Sequence, residues 1–395
     1  MTQQHPALPR VEWSERPRRR AGRPFRVLFL ADHLGLPDGG VHGVTTWLLD
    51  VLPALKETGM EVAACILRRQ HPGAKRLRDR GIDVVFLESS RFDLFVIRQV
   101  DEIVRKGGFE IVHCTQFRSC VVGRAVARLR KGVRVVLHVH DLSLPPSAVR
   151  LMNRVMADPL DMGICVSEAC RDVAVHGYHL SPERIRILYT GIDTSAFRIP
   201  SPKARAQVRL ELGISASAPV ICLTGRFAPV KGQAEMIRMM KAITIRRPEC
   251  ILMLIGSGSM RVRCERLTKE LGLVNNVRFM GYRQDVSRWL AAADVAVVPS
   301  RSEGLSRTAI EANLCGLPVV AYSCGGVSEA IVGQVCGELV TPGSPVAFVD
   351  AVVRMLDQPA DAAAAERRAL AAGERFGLAA HVQSLRACYE TLQWP

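Results

Sequence analysis

A chain of 395 residues is too long for one ordinary hydrophobic core, and its length favours two or three domains of roughly 100–200 residues. The composition, 48% hydrophobic and 23% charged, is that of a globular protein, and no run approaches the roughly 18–20 apolar residues that span a bilayer. The formal charge of +15 indicates either a solvated basic surface or a polyanionic partner; because no helix-turn-helix, zinc-finger or RNP-type motif accompanies it, nucleic acid is not expected.

The first half of the chain alternates short apolar runs with helical segments. Residues 1–24 are rich in Pro and Arg, lack the apolar core of a secretory signal, and are predicted to be a disordered basic tail. The predicted strands that follow are FRVLFLADH, EVAACIL, IDVVFLE, FEIVHCT, VRVVLHVHD, MGICVS and RIRILYTGID. Strands alternating with helices predict a parallel sheet covered on both faces, here an N-terminal Rossmann-like domain over residues 25–200.

A stretch rich in Pro, Ser and charge then interrupts the pattern, and residues 201–217 are predicted to be a linker that includes a short helix. The alternation restarts with the strands PVICLTGR, CILMLIGSG, NVRFMG, DVAVVPS and PVVAYS, which predict a second Rossmann-like domain over residues 218–377. The predicted fold is therefore α/β, with two such domains facing a cleft. In open parallel sheets ligands bind at the carboxyl ends of the strands.

The twelve cysteines are scattered singly, without the CxxC pairs of a zinc site. Several lie in apolar runs, where a buried thiol is the simplest interpretation. A reducing, cytoplasmic location is therefore expected.

The segment SRSEGLSRTAIEANLCGLPVVAYSCGG, residues 300–326, carries two carboxylates eight positions apart. Glu303 and Gly304 are predicted in the loop after a strand, and Glu311 in a helix with Ser306 as its N-cap and Gly316 as its stop. Carboxylates around a helix N-terminus suit a ligand with hydroxyl groups at one end and phosphates in the middle, such as a nucleotide sugar. Two solvated surface acids are the alternative.

The segment LTGRFAPVKG, residues 223–232, follows the first strand of the second half. Gly225 permits a tight turn, and Arg226 and Lys231 could converge on a diphosphate, Arg as a fork and Lys as a point charge. Both cations would neutralise the charge that develops on a departing nucleotide. Two solvated loop cations are the alternative.

Two features at strand ends of the first half could face a ligand. His138 and His140 lie on one face of a predicted strand, but no third metal ligand is near and the chain has no Asp-x-Asp, so no metal is predicted. His140 is interpreted as a neutral contact to a sugar and His138 as structural, with a core histidine as the alternative for either. The glycines of DGGVHGV, Gly39 and Gly40, allow backbone N–H groups to approach a ligand, although the dinucleotide fingerprint is missing.

In combination these motifs resemble a known family, the retaining glycosyltransferases of GT-B fold in family 4, also called glycosyl transferases group 1. The resemblance covers roughly residues 25–395. It is most specific in PSRSEGLSRTAIEANLCGLPVVAYSCGGVSEAI and is supported by ILYTGID, LTGRFAPVKG and VRFMGYRQDV.

The resemblance implies how the donor would be bound. Glu303 would contact hydroxyl groups of the donor sugar and Glu311 those of the ribose, while Arg226 and Lys231 would hold the diphosphate. Further contacts are implied for Gly225, for the backbone N–H groups of Leu305 and Ser306 beside Gly304 at the phosphate, and for the backbone of Gly281 and Tyr282 beside the base.

On the other side of the cleft, Gly39, Gly40 and His42 would line the acceptor side and His140 would touch the sugar. The family implies a nucleotide-diphosphate sugar as donor, retention of the anomeric configuration, and no cofactor or metal at the diphosphate. The acceptor would be a glycan, a lipid-linked molecule or a small molecule, and residues 378–395 would form a helix that crosses back to the N-terminal domain.

Two positions depart from the family pattern. Ser306 stands where members often have Gly, and His42 stands where they often have Glu, which leaves the acceptor contacts open. Two other functions also remain open: a nucleotide-sugar epimerase on the same fold, and an inactive basic binding protein.

Two segments of the first half, RAVARLRKGVR (residues 124–134) and VRLMNRVM (residues 149–156), mix cations with apolar residues. This pattern is compatible with peripheral association with an anionic membrane surface, at the inner face of the cytoplasmic membrane. Ordinary amphipathic helices packed on the sheet are the alternative.

Overall fold

The computed structural model describes residues 25–35, 43–90, 93–158 and 160–392. The chain divides into two compact units, the first made of residues 1–191 and 378–395 and the second of residues 192–377. The predicted tail at 1–24 lies outside the described residues.

The first unit is built on a parallel sheet with seven strands among the described residues, in the order β3-β2-β1-β4-β5-β6-β7. The strands are β1 (Arg26–Ala31), β2 (Glu61–Ile66), β3 (Asp83–Phe86), β4 (Ile111–Cys114), β5 (Arg134–Val139), β6 (Met162–Cys165) and β7 (Ile185–Ile187). The helices from the N-terminal part are α1 (Gly43–Glu57), α2 (Gly73–Asp79), α3 (Phe95–Gly107), α4 (Phe117–Leu129), α5 (Ser147–Val155) and α6 (Arg171–Tyr178). The strand order reverses between β1 and β4, which is the position where open α/β sheets bind ligands.

The second unit repeats this architecture with a parallel sheet in the order β10-β9-β8-β11-β12-β13. Its strands are β8 (Val220–Thr224), β9 (Ile251–Ile255), β10 (Val277–Gly281), β11 (Val295–Val298), β12 (Val319–Tyr322) and β13 (Gly337–Val340). Its helices are α7 (Pro202–Glu211), α8 (Gln233–Arg246), α9 (Arg261–Glu270), α10 (Val286–Leu290), α11 (Arg307–Leu314), α12 (Val327–Ala330), α13 (Pro345–Asp357) and α14 (Ala362–Phe376). The prediction of two Rossmann-like α/β domains is confirmed.

The last helix, α15 (Leu378–Glu390), belongs to the first unit although it follows the second in sequence. Val382, Leu385 and Tyr389 are at most 2% exposed and join the core that contains Phe29 and Trp47. Burying one such apolar side chain contributes roughly 1.5–3 kcal/mol, so α15 is a structural part of this core.

The segment predicted as a linker, residues 201–217, lies within the second unit together with residues 192–200. Arg209 of α7 is buried, and its guanidinium donates to the carbonyls of Ala218 and Ala292 at 2.9 and 3.1 Å. Arg205 and Arg209 both pair with Asp294. These contacts fasten α7 to the second unit, and those with Ala292 and Asp294 join positions 83–89 apart, which local composition does not reveal.

Within the described ranges, none of the helices is both long enough and apolar enough to cross a membrane.

Candidate functional site

Lys231 and Glu303 form a direct ion pair at the carboxyl edge of the second sheet. Lys231 Nζ lies 2.7 Å from each oxygen of the Glu303 carboxylate, and Ser300 Oγ donates to Glu303 Oε1 at 2.8 Å. The Glu303 side chain is 9% exposed and that of Lys231 27%. A carboxylate this buried depends on its cation and hydrogen-bond donor. The two residues, predicted as separate sugar and diphosphate contacts, therefore act as one polar unit.

Glycines allow the loops at this edge to approach each other closely. A Cβ on Gly232, where φ is +75°, would lie 2.1 Å from the carbonyl oxygen of Pro299, and a Cβ on Gly256, where φ is +144°, would lie 2.0 Å from that of Gly225. The backbone N–H of Arg301 donates to the carbonyl of Val230 at 2.8 Å. These close approaches bring the loop that carries Lys231 to the loop that carries Glu303.

The other predicted donor contacts of this sheet edge are less enclosed. The guanidinium of Arg226 is exposed, while its carbonyl accepts a hydrogen bond of 2.9 Å from Gln233 Nε2. Gly281 ends β10 with φ +70°, its carbonyl accepts from the N–H of Gly256 at 2.8 Å, and Tyr282 beside it is 38% exposed. The loops after β8, β9 and β10 are thus in contact along one edge.

Glu311 lies on α11, eight positions after Glu303, but has a different partner. Its Oε1 is 3.5 Å from Nη2 of Arg307, one helical turn earlier, and both side chains are 12% exposed. The prediction that Ser306 is the N-cap of α11 is confirmed, because its hydroxyl accepts from the N–H of Ala309. Ser306 is 1% exposed, and its side chain serves as a cap to the helix. Leu305 before it is 8% exposed.

In the first unit, His138 is buried within β5 and His140 follows the strand, half-buried. The two rings are stacked with centroids 4.0 Å apart. Burial, together with His140 and other neighbouring histidines, lowers the pKa of His138 well below its usual value, so its ring is neutral at neutral pH. Gly39, Gly40 and His42 lie outside the described residues.

Trp47 contacts His140 and His113 contacts His138, although the sequence motifs did not indicate either residue. The Trp47 ring lies 5.0 Å from that of His140, and His113 Nε2 lies 3.1 Å from His138 Nδ1. Their apolar surroundings in α1 and β4 give no local signal of a polar role.

Among the described residues, no group of three or more His, Cys, Asp or Glu side chains is arranged to hold a metal ion. The twelve cysteines are free thiols, and ten of them are buried. Burial raises the pKa of the Cys65 thiol to about 12, so this thiol is protonated at neutral pH.

Comparison with known proteins places both halves of the chain in glycosyltransferase families. Residues 41–196 match the family model described as Glycosyltransferase Family 4, and residues 205–372 match that described as Glycosyl transferases group 1. The D-inositol 3-phosphate glycosyltransferase of Thermobispora bispora is 28% identical, over 94% of this chain and 95% of that protein. The enzyme of the same name from Saccharomonospora viridis is 30% identical, over 68% of this chain and 67% of its own length.

Solved structures show the same architecture. The structure of Anabaena Alr3699/HepE in complex with UDP has a TM-score of 0.79 and 23% identity, over 93% of this chain and 100% of that one. Sucrose-phosphate synthase from Thermosynechococcus elongatus has a TM-score of 0.77 and 21% identity, over 93% and 99%. The two parallel-sheet units therefore define a protein of GT-B fold. The chain belongs to glycosyltransferase family 4 and is a glycosyltransferase.

Proposed function

We propose that this enzyme transfers a sugar from a nucleoside diphosphate sugar to an acceptor hydroxyl with retention of the anomeric configuration. The observation that carries the proposal is the buried Lys231–Glu303 pair with Ser300 at the carboxyl edge of the second sheet. The solved relative HepE binds UDP and UDP-glucose, which supports a nucleotide sugar as the donor class. In such a pair the carboxylate can present its oxygens to sugar hydroxyls, and the ammonium group can present a positive charge to phosphate.

The arrangement suggests how each group would act. Lys231 would turn one of its ammonium hydrogens to a diphosphate oxygen while it keeps its contact with the Glu303 carboxylate, and the exposed Arg226 would add a second cation. As the bond from the anomeric carbon to the phosphate oxygen breaks, both cations would stabilise the charge that develops on the leaving diphosphate. The acceptor oxygen would bond to the anomeric carbon from the same face, and its proton would pass to the leaving phosphate.

For the acceptor we propose a phosphorylated polyol, because the curated relatives that span nearly the whole chain are D-inositol 3-phosphate glycosyltransferases. The net charge of +15 is consistent with a phosphorylated substrate. Glycan or lipid-linked acceptors are the alternatives to be compared in the same assay. No metal or cofactor is proposed for the donor site.

The donor proposal is tested by combining binding and turnover. Thermal-shift screening against UDP, GDP and ADP sugars identifies the donor, and product NMR reports the anomeric configuration. Glu311→Ala is expected to weaken nucleotide binding, whereas Glu303→Gln is expected to keep binding and lower kcat by roughly 10²–10³-fold, the usual loss for one transition-state contact. Asp350→Ala, which removes a half-exposed acid paired with Arg246 on the same unit, is the matched control.

Full turnover by both glutamate variants would reject the site assignment, and inversion of the anomeric centre would reject retention. To test for epimerase activity, the donor is also incubated without acceptor. Conversion of the donor sugar to its epimer would favour the epimerase alternative over transfer.

We also propose that α5 carries the first unit to an anionic membrane surface, at the inner face of the cytoplasmic membrane. Within α5 only Asn153 is buried, while Leu151 and Val155 are 61% and 69% exposed and alternate with Arg150 and Arg154. Apolar side chains between cations on one exposed helix suit the interface of an anionic bilayer.

Vesicle co-sedimentation tests this partner. Binding is expected to increase when phosphatidylglycerol is added to phosphatidylcholine vesicles, and to fall in the double variant Leu151→Ser, Val155→Ser. The control double variant Leu210→Ser, Ile245→Ser removes apolar side chains of the second unit that are 81% and 78% exposed, and it is expected to bind normally. Binding that is indifferent to anionic lipid and to salt would reject the proposal.

A further inference from the structure

Five buried rings form a cluster beside His140 in the first unit. We call this the histidine–tryptophan cluster; its members are Trp47 from α1, His113 from β4, His138 from β5, and His381 and Tyr389 from α15. Each is at most 4% exposed. The C-terminal helix therefore contributes two polar side chains to a region next to a predicted sugar contact.

One chain of hydrogen bonds fixes Trp47. Its indole Nε1–H donates to His381 Nε2 at 3.0 Å, and His381 Nδ1 lies 2.7 Å from the carbonyl oxygen of Tyr189. Because Nε2 accepts from the indole, the proton of the neutral His381 ring must be on Nδ1, where it is donated to Tyr189. The position of the Trp47 ring is thus set by α15 and by the backbone at residue 189.

A second chain fixes His138. The hydroxyl of Tyr389 lies 2.8 Å from His113 Nδ1, and His113 Nε2 lies 3.1 Å from His138 Nδ1. A neutral His113 ring donates from one nitrogen and accepts at the other, so the protons along this chain of hydrogen bonds point in one direction. Burial, reinforced by neighbouring histidines, lowers the pKa of His113 and His138 well below the usual value and keeps both rings neutral at neutral pH.

Each of these two series of hydrogen bonds ends at a ring that contacts His140. The His140 ring stacks on His138, with centroids 4.0 Å apart and planes 27° apart, and lies 5.0 Å from the Trp47 ring at 61°. Apolar side chains would fill this volume without the cost of burying polar groups. A polar network joined by hydrogen bonds instead favours one arrangement of rings, although the buried His138 Nε2 has no hydrogen-bond partner among the described residues. The rings contact one another by stacking and edge-on. Within the described part of the chain, no group of three or more His, Cys, Asp or Glu side chains is arranged to hold a metal ion.

We propose that α15 orients the ring of His140 for its contact with the donor sugar, through Trp47 and His138 as the positioning residues that touch it. His381, His113 and Tyr389 act behind them. The inference rests on the predicted contact between His140 and the donor sugar, and it assigns a role in the reaction to a helix that follows the second unit in sequence.

The test is a double-variant cycle in the full-length enzyme. Tyr389→Phe removes one hydroxyl group and is expected to lower kcat by about tenfold, which corresponds to about 1.4 kcal/mol, the scale of one net hydrogen bond. The donor KM is expected to change less than kcat. In the His140→Ala background the same substitution is expected to have no further effect on kcat, because its route of action has been removed.

Tyr322→Phe is the matched control, since Tyr322 is a buried tyrosine of the second unit whose hydroxyl donates to Glu235 at 2.8 Å. It is expected to lower the melting temperature while kcat stays unchanged. If Tyr389→Phe does not fold, Trp47→Phe severs the indole bond to His381 and must show the same dependence on His140.

The outcomes separate the two proposals. A positioning variant that keeps full kcat, or that loses the same factor with and without His140, overturns the inference. If His140→Ala alone retains full kcat while the Glu303 and Glu311 variants behave as expected, the sugar contact of His140 is wrong and the inference falls with it, but the glycosyl transfer proposal stands.

Discussion

His113 and His138 make the stability of the first unit depend on pH. Burial lowers the pKa of both, so the native state keeps them neutral, while the unfolded chain protonates them near their ordinary pKa of about 6.5. As the pH falls below about 6.5, the unfolded state binds protons that the native state does not, and the free energy of unfolding decreases.

We therefore expect urea unfolding monitored through the first unit to show a steeper loss of stability below about pH 6.5 in the native chain than in His138→Leu. The control His176→Gln replaces an exposed histidine of α6 and should keep the steep dependence. Parallel curves for all three proteins would show that the buried rings do not govern the response.

At the scale of single residues, sequence motifs indicated the candidate donor-site residues but not the contacts between them. Glu303 and Lys231 were each recognisable from loop motifs, yet their ion pair joins positions 72 apart and depends on the close approach at Gly232. The N-cap at Ser306 could be predicted because it depends on residues three positions apart. His113 and Tyr389 could not, since their hydrogen bond spans 276 positions.

Among the helices and strands, α4 is held by an unusually enclosed ion pair. Arg124 is 1% exposed; its Nε lies 2.7 Å from Asp161 Oδ2, and Nη1 donates to Asn153 Oδ1 at 3.0 Å and to the carbonyl of Tyr178 at 2.6 Å. One side chain thereby connects α4 to the start of β6, to α5 and to α6. Its loss would affect three elements at once.

We expect Arg124→Met to lower the free energy of unfolding of the first unit by about 3–5 kcal/mol, because it leaves the Asp161 carboxylate buried without its cation. The double variant Arg124→Met, Asp161→Leu is expected to recover most of that loss. The control Lys75→Ala breaks an exposed pair of the same unit and should cost at most about 1 kcal/mol. Denaturant titration measures all three, and a small effect of Arg124→Met alone would contradict the role of the pair.

The elements that sequence patterns revealed are those with continuous apolar runs, such as β1, β9 and β11, which are buried on both faces. β13 was missed because it is an edge strand in which only Val340 is buried. α14 was also missed; its Ala-rich sequence lacks a run of large apolar side chains, and only Ala364, Ala372 and Phe376 are buried.

Over the whole molecule, the first unit is made from two separate parts of the chain. The chain leaves it at residue 191 and returns at residue 378, and in the second unit these crossings lie side by side, where the N–H of Ile192 donates to the carbonyl of Phe376 at 2.8 Å. The second unit, by contrast, is continuous in sequence.

A chain that ends at Gly377 is therefore expected to lose the folded first unit, because the core around Trp47 loses Val382, Leu385 and Tyr389. The second unit should persist as a protease-resistant fragment. Limited proteolysis with mass spectrometry distinguishes the two units. Arg386→Ala, a half-exposed position on α15, is the control that should leave both resistant, and protection of residues 43–191 in the truncated chain would contradict the expectation.

The insertion of one unit within the other also sets an order of events on the ribosome. The strands of the first sheet are translated before the second unit, whereas the helix that completes their core is translated only after the whole second unit. At elongation rates of about 5–20 residues per second, the delay is on the order of 10–40 s. During that interval the apolar surface around Trp47 is uncovered, so the part of the enzyme that is synthesised first needs the longest protection by chaperones.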